Sequence, residues 1–156
     1  VITDSLAISE WASEVGNRLY PQDALERALV RSAVAEMHSG FAAVRRDLSM
    51  NIRRRCQAHG LPADTLRDIA RLDAIFASHR AHVASGPFLF GQRTLADAFY
   101  TPVATRFRTY GIVLSHAAQA LCDTLLADPA FAEWEERVRV QPEKRFSRAN
   151  VDSLYT

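Results

Sequence analysis

Apolar residues along this chain recur at intervals of three and four, and nowhere do they alternate with polar ones over the length of a strand. That pattern restricts the chain to helices that bury one stripe each, packed as a bundle. The stop and start signals divide it. Asp4 opens a short first helix to about Val15, where Gly16 and Asn17 tolerate a left-handed stop. A loop, Arg18 to Gln22, follows. Asp23 and Glu26 have the spacing of a capping box, and Leu25, Leu29, Ala33, Met37, Phe41, Val44 and Leu48 form one stripe. The stripe predicts a central rod of about 25 residues, roughly 37 Å long, reaching about Arg55. Gly60 and Pro62 break it.

A third helix is expected from Asp64, with Ile69, Leu72, Phe76, His79 and Val83 inward and Ser85-Gly86-Pro87 as its stop. After the apolar loop Phe88-Leu89-Phe90-Gly91, Thr94 and Asp97 again have capping spacing, and Ala96, Phe99, Val103, Phe107 and Tyr110 mark the next buried side. Two shorter helices follow, one with Ala118, Leu121 and Leu125 inward, the other with Phe131, Trp134 and Val138. The tail after Pro142 reads as polar and irregular. The expected fold class is all-α, a single bundle with one short helix in front.

Composition narrows the function. With 156 residues the chain can bury a real core. A net charge of +1, from 19 basic and 18 acidic side chains, speaks against a dedicated nucleic-acid binder. Arg53-Arg54-Arg55 accordingly reads as a solvated helix end. No apolar run is long enough to span a membrane, and no signal peptide precedes the first helix. The absence of an initiator Met is consistent with a fragment or a processed product. Two distant cysteines, Cys56 and Cys122, read as reduced thiols of a cytoplasmic protein. His79 and His82 have helical spacing but no third ligand nearby, so no metal is expected. Ser115-His116 shows no acid partner and no nucleophile elbow, which discounts hydrolase chemistry.

Three stretches carry more. Asp4-Ser5-Leu6-Ala7-Ile8 places an acid and a hydroxyl at a helix N-terminus, where free N–H groups and the dipole suit a carboxylate. Ala35-Glu36-Met37-His38-Ser39-Gly40-Phe41 puts an imidazole late in the second helix. Gly86-Pro87-Phe88-Leu89-Phe90-Gly91, then Thr94-Leu95-Ala96-Asp97, is a stapled loop before a capped helix. In this order the three resemble the cytosolic glutathione transferase superfamily, in its bacterial, beta-class-like form, from about Val1 to Val138. Ser39 departs from that pattern, which often has Lys there.

The resemblance implies that residues 1–17 are the end of a thioredoxin-like α/β domain, with Val1-Ile2 its last strand, and that residues 18–156 are the helical C-terminal domain. It implies a homodimer with the long helix near the two-fold axis. It implies glutathione as co-substrate, with Asp4 and Ser5 on its γ-glutamyl end, His38 auxiliary near its sulfur, and Phe41, Arg45 and Arg106 beside a hydrophobic electrophile. The expected role is conjugation in detoxification. The thiol-activating Ser, Cys or Tyr of the family has no counterpart here, so the chain alone is expected to be inactive. Two other readings fit the same fold: a non-catalytic interaction module, and a glutathione-dependent peroxidase or reductase with its catalytic Cys outside this chain.

Overall fold

The computed structural model describes residues 1–16, 19–81 and 85–141, with the side chains of residues 79–81 left aside. Among them are seven helices and no strand: α1 (Ser5–Val15), α2 (Ala24–Ser39), α3 (Ala42–Asp47), α4 (Ala63–Ala81), α5 (Leu95–Tyr110), α6 (His116–Ala127) and α7 (Pro129–Arg139). Helix α5 is the centre, packed on α2 and α6, while α4 packs on α3 and α6, and α7 on α6. Val1 and Ile2, expected as a strand end, are exposed and belong to no regular element.

The burial of α5 rests on its start. Asp97 is buried and its carboxylate accepts from the Leu89 N–H at 2.9 Å, the Thr94 N–H at 2.7 Å and the Thr94 hydroxyl at 3.2 Å. Thr94 and Asp97 close the expected capping box, which also staples the apolar loop over the core. Burial raises the Asp97 carboxyl above the usual carboxylate range, against the opposing pull of those hydrogen bonds. Along α5, Ala96, Val103, Phe107 and Tyr110 are buried as expected, and Tyr100 joins them. Its ring meets Phe76 edge-on at 5.3 Å, and its hydroxyl donates to the Ala33 carbonyl of α2.

The long rod does not form. Helix α2 ends at Ser39, and the chain turns at Gly40 and Phe41 before the short α3. Phe41 is left-handed, at φ 59° and ψ 40°, and a Cβ on Gly40 would stand 2.7 Å from the Glu36 carbonyl oxygen. Tertiary partners hold the break. Asp68 of α4 accepts from the Ala43 and Val44 N–H groups at 3.1 and 3.2 Å, capping α3 from outside. Arg45 donates to the Met37 and Gly40 carbonyls at the end of α2. From Leu48 to Pro62 the chain is not helical. It runs along the end of α5, where Cys56 and Ala58 donate to the Thr109 and Tyr110 carbonyls.

The α2 stripe also differs from expectation. Its buried side is Val30, Ala33, Val34 and Met37, whereas Leu25 and Leu29 are exposed, Leu25 at 70%. A row spaced strictly by four drifts about 40° per step around a 3.6-residue helix, so Leu25 and Met37 face about 120° apart. Trp134 is likewise exposed, and only Phe131 of α7 is fully buried. Val83, His82 and the tail from Pro142 lie outside the described residues.

Candidate functional site

Helix α1 has no buried residue, and Ile8, Trp11 and Val15 are exposed. Its Leu6 packs part-buried against the core, and polar contacts add to that hold. At its head, Asp4 is the N-cap. Oδ1 accepts from the Leu6 and Ala7 N–H groups at 2.9 and 3.1 Å. Its other oxygen, Oδ2, lies 3.4 Å from Nε2 of His38 in α2. The His38 ring stands edge-on to Phe99 of α5, centroids 6.3 Å apart. At the middle of α1, Glu10 pairs with Arg31 of α2 at 3.3 Å and accepts a hydrogen bond from the Tyr20 hydroxyl. The Arg31 guanidinium lies 5.0 Å from the Tyr20 ring centroid. Burial, with Glu10 beside it, pushes the Tyr20 hydroxyl up to about 12.

The structure therefore brings Asp4 and His38 together across 34 residues of chain, with Ser5 exposed beside them. Phe99 is a neighbour of His38 that the periodicity marked only as core. The link Glu10–Arg31–Tyr20 carries no local sequence signal, since its partners meet only when α1 lies on α2.

The three residues expected beside an electrophile each have packing or hydrogen bonds within the fold. Phe41 is buried in the turn between α2 and α3, and Arg45 closes the end of α2. Arg106 donates to the Leu48 and Pro102 carbonyls at 2.9 and 3.0 Å, tying the segment after α3 to α5. Burial, and then the neighbouring Arg45 charge, lowers the Arg106 guanidinium from its ordinary value.

Two cavities lie away from α1. One of about 370 Å³ sits between α5 and α6, and one of about 270 Å³ between α5, α7 and Met50. Ser115 has a spatial acid partner that its neighbours in sequence did not reveal. Its N–H and hydroxyl both donate to Asp73 Oδ1 at 2.9 Å, and the hydroxyl caps α6. Among the described residues no three His, Cys, Asp or Glu side chains gather as a metal site. No described helix is long and apolar enough to cross a membrane.

The fold these residues build is that of the helical C-terminal domain of glutathione transferases. The chain is similar to a glutathione transferase homolog from Burkholderia gl BGR1, solved with bound glutathione, at TM-score 0.64 and 19% identity over 90% of this chain. It is similar to glutathione transferase Omega 3C from Trametes versicolor at TM-score 0.62 and 19% identity over 92% of this chain. It spans 68% of the first protein's length and 64% of the second's. No family model and no curated protein matches the sequence.

Proposed function

We propose that this chain is the helical part of a glutathione transferase whose complete form joins the glutathione thiolate to small hydrophobic electrophiles. The observation that carries the reading is the Asp4–His38 contact at the exposed head of α1, within a fold shared with a protein solved with glutathione. Asp4 presents a carboxylate to an ammonium group, and Ser5 adds a hydroxyl beside the helix N-terminus. Those are the groups an α-amino acid head requires, and glutathione has one at its γ-glutamyl end.

The contact refines the role of His38. With Asp4 on the γ-glutamyl end in this reading, a side chain 3.4 Å from Asp4 would lie at that end, and the γ-glutamyl arm would separate it from the sulfur. We assign His38 to holding the Asp4 carboxylate, with any approach to the sulfur requiring a second position of its ring. Phe41 and Arg45 shape the end of α2 just beyond His38, and with Arg106 they would set the adjoining surface for an electrophile. The thiol is activated by the part of the protein that precedes Val1 in this reading, so the chain alone is inactive.

The rest of a thioredoxin-like domain of which residues 1–17 are the end would cover α1, whose Trp11 is 52% exposed although no polar role explains it. Leu25 and Leu29 on the open side of α2 suit a homodimer with that helix near the axis. Detoxification in a bacterial cytoplasm is the setting that fits such an enzyme.

The test is glutathione binding by the complete protein, with Ser5→Ala and Asp4→Asn beside it. Saturable binding lost at least tenfold in both variants is expected, from one charge-assisted hydrogen bond each. Binding that is absent, or indifferent to both changes, would overturn the reading and leave an interaction module.

A further inference from the structure

Helices α5 and α7 and the segment after α3 border the cavity of about 270 Å³. Its wall is soft and aromatic. Met50, Pro102 and Trp134 line it, with Phe131 tilted against the Trp134 ring at 5.9 Å between centroids. Met50 and Trp134 are 36% and 46% exposed although both are large and apolar. Ring faces and a thioether are surfaces on which an aromatic ring packs. One polar pair completes the lining. Arg93 Nε donates to Asp128 Oδ2 at 2.5 Å, and Asp128 Oδ1 accepts from the Ala130 N–H at 2.8 Å.

That pair is used unevenly. Both Asp128 oxygens are engaged, whereas Arg93 is half exposed and its two Nη groups have no partner among the described residues. With Nε engaged, the Nη1–Nη2 edge of the guanidinium stays open, and such an edge matches the two oxygens of a carboxylate. The balance of charge also favours an anion. Arg93 and Asp128 offset each other, but Arg106 stands at the same wall. Its Nη1 donates to the Pro102 carbonyl at 3.0 Å and lies 3.8 Å from Met50 Sδ, and Pro102 and Met50 both line the cavity. Its remaining bond is to the Leu48 carbonyl, so no carboxylate among the described residues offsets it. Arg45, whose charge acts on Arg106, likewise bonds only to carbonyls. The Asp128 carboxylate in the lining opposes a second negative charge on the same ligand.

We propose that this cavity binds a small aromatic monocarboxylate, its ring lying on Pro102 and Trp134 and its carboxylate accepting from the Nη edge of Arg93. No lining residue belongs to α1 or α2, so the site does not depend on any reading of the α1 head. An apolar cavity with a few convergent polar groups is where small ligands bind.

The probe is hydrocinnamate, titrated into the isotope-labelled 156-residue chain and followed by amide and indole N–H chemical shifts, with hydrocinnamyl alcohol as the neutral counterpart. Saturable shifts are expected at the Trp134 indole and in residues 98–102 and 130–134, with the Trp11 indole unmoved. The acid should bind roughly tenfold tighter than the alcohol. Arg93→Lys keeps a cation beside Asp128 but removes the open edge, and it should weaken the acid by roughly tenfold while leaving the alcohol unchanged. Ala98→Trp, at an exposed position of the lining, should fill the cavity and abolish both. If its circular dichroism shows that Ala98→Trp does not fold, Ala130→Trp, exposed on the α7 side, replaces it as the blocking variant. No saturable shift up to about 10 mM, shifts centred elsewhere, equal binding of acid and alcohol, acid binding unchanged in Arg93→Lys, or binding unchanged by a folded blocking variant would each overturn the site.

Discussion

Replacing Asp97 by Ala should be among the most damaging single changes available in this fold. The carboxylate satisfies two backbone N–H groups, those of Leu89 and Thr94, and Leu89 and Thr94 are themselves buried. Stranding a buried donor costs about 1–3 kcal/mol, so the pair contributes about 2–6 kcal/mol. Removing a buried carboxyl returns part of this, because its burial is itself unfavourable. A net loss of about 3–4 kcal/mol follows. Urea unfolding followed by circular dichroism measures it. With a slope of about 2 kcal/mol per molar urea for a chain of this size, the midpoint should fall by about 1.5–2 M at unchanged slope. The pH dependence has a definite sign. A carboxyl whose folded pKa is raised binds its proton more tightly folded than unfolded, so its contribution to stability improves as pH falls through the folded value to the unfolded one. The gap between the native protein and Asp97→Ala should therefore be wider at pH 4 than at pH 7. A midpoint shift below about 0.3 M would refute the reasoning, since the loop would then hold without its buried carboxylate.

Arg45→Ala should lower stability by about 1–2 kcal/mol, because the Met37 and Gly40 carbonyls lose a charged donor, and urea unfolding would measure the loss. Burial pushes the Cys122 thiol up to about 12, so at pH 8 its thiolate fraction is roughly a thousandfold below that of an exposed thiol. Peptide mapping after maleimide treatment should find Cys122 unmodified until the chain is unfolded. The same shift means that the stability Cys122 contributes is complete below pH 9 and is lost as pH rises towards 12, which an alkaline series of melting temperatures would register in comparison with Cys122→Ala. In the complete protein, Leu25→Glu with Leu29→Glu should convert a dimer to a monomer by sedimentation and leave the circular dichroism of the chain intact.

What the sequence made legible were features written within a few residues. The Thr94–Asp97 box, the Asp23 cap, the end of α1 at Gly16 and most of the buried side of α5 are local and follow from spacing, although Gly16 stands at φ −153° and not in the left-handed conformation expected, and Phe99 is only part-buried. The break after Ser39 was not legible, although Gly40 stands at it, because one glycine in a long apolar pattern is compatible with a continuous helix. Its cause is distant: Asp68, 25 residues beyond Ala43, caps α3 and makes a second helix start cheaper than a continued first. The candidate site divides the same way. Asp4 could be recognised as a cap with a spare oxygen, because capping is a local act. That the spare oxygen faces His38, and that Glu10 reaches Arg31 and Tyr20, depends on how α1 lies across α2. Beside the packing of Leu6 on the core, such polar contacts place α1, and partners of that kind follow no period in the sequence. The same reasoning explains Arg45 and Arg106. Both were read as facing a ligand because they lie near His38 or on the facing helix. The bonds they make within the fold were not legible, since a broken helix and a non-helical segment expose carbonyl groups that only long donors can reach.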